Sequence, residues 1–228
     1  MKNTITIVGI VLVLIAIFFV YKSTTTTEVE NNTIQKPTAP KTTLTIVAFG
    51  DSLTAGYGVS LAESYPTILE QKLREENISA KVINMGVSGE TTDIALERLD
   101  FVNDQNPDII LLGLGANDML RSLPPENAKA NLEKMIVYFK EKNRKVVLLG
   151  MKSTTTNGSA YRTSFDAIYP DLAKKYSLPL VPFFLDGVVL RASFNTSDGI
   201  HPNSLGYQKI VSENILPVLL PYLKKISR

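Results

Sequence analysis

From Leu44 to Leu223 the chain alternates short, mainly apolar runs with longer stretches whose apolar positions recur every three or four residues. Leu44–Phe49, "AKVINMGV", "DIILLGLG", "KVVLLGMK" and "LPLVPFFL" are short and rich in Val, Ile, Leu and Phe, which predicts five strands. Between and after them, "ESYPTILEQKLREEN", "TTDIALERLDFV", "PPENAKANLEKMIVYFKEKN", "RTSFDAIYPDLAKKYS" and "NSLGYQKIVSENILPVLLPYL" carry helical spacing. Thr91 or Thr92 is the expected cap of the second helix, and Pro and Glu open the third. A kink is expected at Pro170 and an interruption at Pro217, because proline cannot donate a helical hydrogen bond. Strands apolar on both faces, alternating with amphipathic helices, predict a parallel sheet covered on each side. Five such strands suit a flavodoxin-like, doubly wound α/β fold.

Two segments precede this pattern. Ile5 to Val20 contains no charge and is flanked by Lys2 and Lys22. At ~1.5 Å per residue it is slightly short of a ~30 Å hydrocarbon core, and Thr4 and Tyr21 extend it. No small-residue cleavage site follows, so residues 1–21 are expected to form an uncleaved membrane anchor rather than a signal peptide removed in maturation. Residues 22–43 are rich in Thr, Asn and Pro with little to bury, and predict a flexible tether. The expected organisation is therefore an anchor (1–21), a linker (22–43) and one folded domain (44–228) held outside the cytoplasm.

Composition narrows the chemistry. Lys and Arg number 24 against 22 Asp and Glu, so no polyanion-binding surface is suggested and no nucleic-acid partner is expected. The absence of Cys removes thiolate catalysis, disulfides and Cys-based metal sites. The only His is His201, so paired-His zinc motifs are impossible and any imidazole chemistry belongs to that residue.

In a parallel sheet, functional groups collect beyond the carboxyl ends of the strands. Four polar clusters fall there: Gly50-Asp51-Ser52 after the first strand, Gly89 after the second, Asn117-Asp118 after the third, and "SDGIHP" beyond the fifth. A serine hydroxyl needs a base to become a nucleophile, and His201 is the one available. Asp198, three residues earlier, can meet it within one turn. Gly199 permits the bend, and Pro202 biases His201 towards extended backbone. The backbone N–H groups of Ser52 and Gly89 and the side-chain amide of Asn117 can supply oxyanion donors. Singly, each cluster is an ordinary loop; jointly, on one edge, they predict metal-free serine hydrolysis.

"FGDSLTAGYG", Gly89 in "GVSGET", "GLGAND" and "DGIHP" resemble the four sequence blocks of the SGNH (GDSL) hydrolase family. The likeness is to its bacterial thioesterase/lysophospholipase/arylesterase subgroup, and spans about Leu44 to Leu223. It implies Ser52 as nucleophile, Asp198 and His201 completing the triad, and Ser52, Gly89 and Asn117 forming the oxyanion hole. It also implies a three-layer α/β/α sandwich and no cofactor. The G-x-S-x-G elbow of α/β-hydrolases is absent. "MKSTTTNGSAY" departs from the proline-containing stretch usual in the subgroup.

The expected activity is cleavage of carboxylic esters or thioesters of short-to-medium acyl groups through an acyl-enzyme. The substrate is a small-molecule or lipid acyl ester. A carbohydrate O-deacetylase and a non-catalytic membrane-tethered binding domain are the alternatives. Met119, Leu120 and Leu123 are the expected acyl-binding residues. Because "MKSTTTNGSAY" offers little apolar wall, a shallow open groove is expected.

Overall fold

The computed structural model describes residues 43–226, so the expected anchor and all but the last residue of the expected linker lie outside the described residues. Among the described residues, no helix is long and apolar enough to cross a membrane. The apolar runs form β1 (Leu44–Gly50), β2 (Ala80–Gly86), β3 (Ile109–Gly113), β4 (Lys145–Leu149) and β5 (Leu180–Val181), all parallel, in the order β2-β1-β3-β4-β5. The residues of β3 from Ile109 to Leu112 are completely buried, as a strand covered on both faces requires. The chain steps outward from β1 to β2, then returns past β1 to β3. This reversal leaves a crevice at the carboxyl ends of the central strands.

The helices are α1 (Ser52–Ala55), α2 (Tyr65–Glu75), α3 (Thr92–Leu96), α4 (Leu99–Asn103), α5 (Ala116–Leu120), α6 (Pro125–Glu141), α7 (Ser159–Asp166), α8 (Ile168–Tyr176), α9 (Ser204–Lys209) and α10 (Leu216–Ile226). A π-helical stretch, Ile210–Ile215, joins the last two. One layer packs α2 against β2, α9 and the π stretch; the other gathers α3, α4, α7 and α8 around α6. The sandwich has three layers.

Four details differ from the sequence expectation, each for a physical reason. The second predicted helix is two, α3 and α4, parted at Arg98, whose φ of −116° and ψ of 19° leave the helical region. The predicted kink at Pro170 appears instead as a break at Ala167, one turn earlier. There the proline cannot bond the Asp166 carbonyl and its ring crowds that oxygen. Pro217 does not interrupt the last helix; the widened π turns just before it change the local pairing, and α10 runs on through Pro221. The fifth strand is only two residues long. Pro182 has no N–H for the ladder, so the chain leaves the sheet there.

Close packing at the strand ends demands glycine. A Cβ on Gly86 would stand 2.1 Å from the Ala55 backbone nitrogen, and one on Gly50 would stand 2.5 Å from the Gly113 carbonyl oxygen. Only without those side chains does α1 settle against the end of the sheet.

Candidate active site

Ser52 opens α1 directly after β1. The cap is Asp51, whose Oδ1 accepts from the Leu53 N–H at 3.0 Å. Asp51 is 1% exposed, and Oδ2 has no hydrogen-bond partner among the described residues. Burial pushes its carboxyl up to about 7, against the Leu53 bond and with help from the nearby Glu90 and Asp118 charges.

His201 and Asp198 lie in a loop that returns on itself. Asn195 and Pro202 form an antiparallel bridge, and the Thr196 N–H donates to the His201 carbonyl at 2.8 Å. Gly199, at φ +70°, makes the turn between them. Two asparagines fasten the loop: Asn195 Nδ2 donates to the Val188 and Arg191 carbonyls, and Asn203 Nδ2 donates to those of Ser193 and Asn195. Asp198 Oδ1 accepts from the backbone N–H of His201 (3.0 Å) and of Ile200 (2.8 Å) and from the Thr196 hydroxyl (2.8 Å). These bonds, the His201 backbone N–H foremost, hold the Asp198 carboxyl well below the ordinary carboxylate range.

The other oxygen of Asp198 faces the imidazole. Asp198 Oδ2 lies 2.7 Å from His201 Nδ1, and His201 Nε2 lies 2.8 Å from Ser52 Oγ. An ionised carboxylate only accepts, so Nδ1 carries the proton and Nε2 is left to accept from the serine hydroxyl. The Tyr57 ring sits against the imidazole, with centroids 4.7 Å apart.

Gly89 and Asn117 come to the same place. Gly89 occupies the turn after β2 at φ +80°, and its carbonyl accepts from Arg121 Nη2 at 2.7 Å. Asn117 is the second residue of α5, and its Nδ2 donates one proton to the Glu90 carbonyl at 3.0 Å, keeping a second in reserve. The neighbouring Asp118 is buried and accepts from both the backbone N–H and the hydroxyl of Thr92. Among the described residues, no group of three or more His, Cys, Asp or Glu is arranged to hold a metal ion.

Ser52, Gly89, Asn117 and His201 all line one pocket of about 340 Å³. Of the three apolar residues expected to flank an acyl group, Met119 and Leu120 line it. Leu123 does not; its carbonyl accepts from the Tyr161 hydroxyl at 2.9 Å. The expected lack of apolar wall is also corrected. Met151 at the end of β4, and Phe183, Leu185, Val189 and Leu190 beyond β5, supply one. Sequence reasoning assigned Phe183 and Leu185 to a strand, so their part was missed. Tyr57 was missed as well, although it lies within the quoted serine block.

The model of the GDSL-like lipase/acylhydrolase family matches residues 48–209, a stretch that holds Ser52, Gly89, Asn117, Asp198 and His201. The chain belongs to that family. An arylesterase of Vibrio mimicus is 39% identical over 158 residues, covering 69% of this chain and 79% of that protein. Thioesterase 1/protease 1/lysophospholipase L1 of Escherichia coli K12 is 36% identical over 160 residues, 70% of this chain and 76% of its own. Among solved structures, AlinE4, an SGNH-hydrolase family esterase, superposes with a TM-score of 0.68 at 38% identity, covering 83% of this chain and all (100%) of that one. Fold and relatives together make this GDSL-like chain an SGNH-type acyl ester hydrolase.

Proposed function

We propose that the chain hydrolyses carboxylic esters or thioesters of short-to-medium acyl groups through a serine acyl-enzyme. The observation that carries this is the unbroken relay from Asp198 through His201 to Ser52 at the mouth of an apolar pocket. Ser52 Oγ attacks the carbonyl carbon while His201 Nε2 takes its proton, and Asp198 stabilises the resulting imidazolium. The oxyanion is met by the Ser52 and Gly89 N–H groups and the free proton of the Asn117 amide. Collapse of this intermediate breaks the bond to the alkoxide or thiolate, which leaves with the proton from His201. Water, deprotonated by the same imidazole, then releases the acid. The acyl chain lies along Met119, Leu120 and the wall beyond β5.

The test uses Ser52→Ala and a fluorophosphonate probe. The wild type should be labelled at Ser52 alone, and the folded variant should lose both labelling and nearly all turnover. Labelling at another residue, or an active variant, overturns the mechanism.

The uncharged run from Ile5 to Val20 supports a second element of this reading, an N-terminal anchor that keeps the catalytic domain on the outer side of a membrane. Full-length protein should stay in the membrane fraction at high salt, and protease added to cells stripped of any outer barrier should cut within residues 22–43. Release by salt alone, or protection from protease, rejects it.

A further inference from the structure

The break between α3 and α4 turns Arg98 inwards beneath the site. Its Nε donates to Glu90 Oε1 at 2.6 Å and its Nη2 to Glu90 Oε2 at 2.5 Å. The same Nη2 reaches the carbonyls of Met85 (2.8 Å) and Gly50 (3.2 Å), and the guanidinium lies 4.7 Å from the centre of the Phe49 ring. Glu90 is 3% exposed and the Arg98 side chain 17%. A pair this buried loses in desolvation much of what it gains in attraction, so stability alone is a weak reason for it.

The groups it touches supply a better one. Gly50 ends β1, two residues before the Ser52 N–H. Glu90 directly follows Gly89. The Glu90 carbonyl, in turn, receives the Asn117 amide at 3.0 Å. The guanidinium thus ties the Ser52 and Gly89 segments to each other directly, and Glu90 extends the tie to the Asn117 segment through its carbonyl. We propose that the Arg98–Glu90 pair is the positioning unit of the oxyanion hole, holding the Ser52, Gly89 and Asn117 donors in register for the tetrahedral intermediate. The proposal rests on the oxyanion assignment made above. Neither residue lines the pocket, so neither touches substrate. The pair acts through geometry, because such donors are effective only when held in place before charge develops. Lysine cannot replace the arginine, since a single ammonium lacks the planar fork that grips a carboxylate and two carbonyls at once.

The test compares Arg98→Met, Arg98→Lys, Glu90→Gln and Asn117→Ala in the full chain, with an aryl butyrate as substrate. Arg98→Met should lower kcat by roughly 10- to 100-fold, less than the ~10²–10³ of deleting a donor outright, with KM changed less than about threefold. Arg98→Lys should recover only part of the loss. In an Asn117→Ala background, the effect of Arg98→Met should shrink several-fold, because a donor it positions is already gone. A folded Arg98→Met enzyme with kcat within threefold of wild type overturns the proposal, and so does full additivity with Asn117→Ala. Should Arg98→Met fail to fold, Glu90→Gln decides: the same kcat-selective loss supports the proposal and unchanged kcat rejects it. Activity retained by Asn117→Ala alone would overturn the oxyanion assignment and this proposal with it. If Asn117→Ala is crippled while the Arg98 and Glu90 variants are not, only the positioning role fails.

Discussion

Asp51 and Asp198 are both aspartates at one site, and their surroundings drive them in opposite directions. Asp198 accepts three hydrogen bonds besides the one it shares with the imidazole, and stays ionised through the mildly acid range. Asp51 has one donor, an unpartnered second oxygen and two neighbouring carboxylates, and its carboxyl is raised to about 7. The raised group has a consequence for stability. Below about pH 4 Asp51 is protonated whether the chain is folded or not. Between about pH 4 and 7 the unfolded chain gives up this proton while the folded one keeps it, so folding stability falls as pH rises, then levels off above 7. The full shift corresponds to on the order of 4 kcal/mol. Asn at this position keeps an oxygen for the Leu53 N–H and has no charge to bury. The Tm of Asp51→Asn relative to wild type should therefore climb from pH 4 to pH 7 and then stay flat. A difference independent of pH would show that the carboxyl ionises normally.

At the scale of elements, the sequence was legible where one physical demand dominated. The strands β1, β3 and β4 are mostly buried in the sheet and mainly apolar runs announced them, whereas the edge strand β2, with Lys81 and Asn84, is only partly buried. The run "LPLVPFFL" serves two demands: Leu180 and Val181 pair in the sheet, while Phe183 and Leu185 line the pocket. Composition does not separate those uses, although Pro182 marks the boundary. Helical spacing likewise carried "TTDIALERLDFV" as one helix, since the partners that Arg98 meets at the break, the carbonyls of Gly50 and Met85 and the Glu90 carboxylate, lie outside that segment. The segments of the candidate site were readable because Ser52, Gly89 and Asn117 each follow closely on a strand's carboxyl end, and Asp198 and His201 sit three residues apart in one loop. Met119 and Leu120 were reachable by their nearness to Asn117. Leu123 shows the limit of that reasoning: three residues further on, the chain has passed Ser122 at φ +52° and left the pocket.

At the scale of the whole molecule, the fold separates polar chemistry from apolar recognition across one crevice. The Ser52–His201–Asp198 relay and the proposed oxyanion donors come from the segments just beyond β1, β2 and β3 and from the His201 loop, whereas much of the apolar wall comes from the segment between β5 and α9. Leu190 stands at the lip of that wall, 87% exposed and at φ +60°, a conformation costly for a leucine. Such a side chain gains from covering an apolar ligand. At about 340 Å³ the pocket falls at the small end of the ~300–1,000 Å³ usual for ligand sites. Each methylene that reaches the wall is worth roughly 0.8 kcal/mol, or at most about fourfold in kcat/KM. In a series of aryl esters from acetyl to palmitoyl, kept below micelle formation, kcat/KM should rise by steps of up to about that size and then fall once the chain outgrows the pocket. The rise should flatten in Leu190→Ser, which removes apolar wall and leaves the relay intact, while activity on the acetyl ester stays near wild type. A palmitoyl optimum would require a channel longer than this pocket. A sharp acetyl optimum would mean that the wall does not receive the acyl group, and would favour a deacetylase that places the rest of its substrate there.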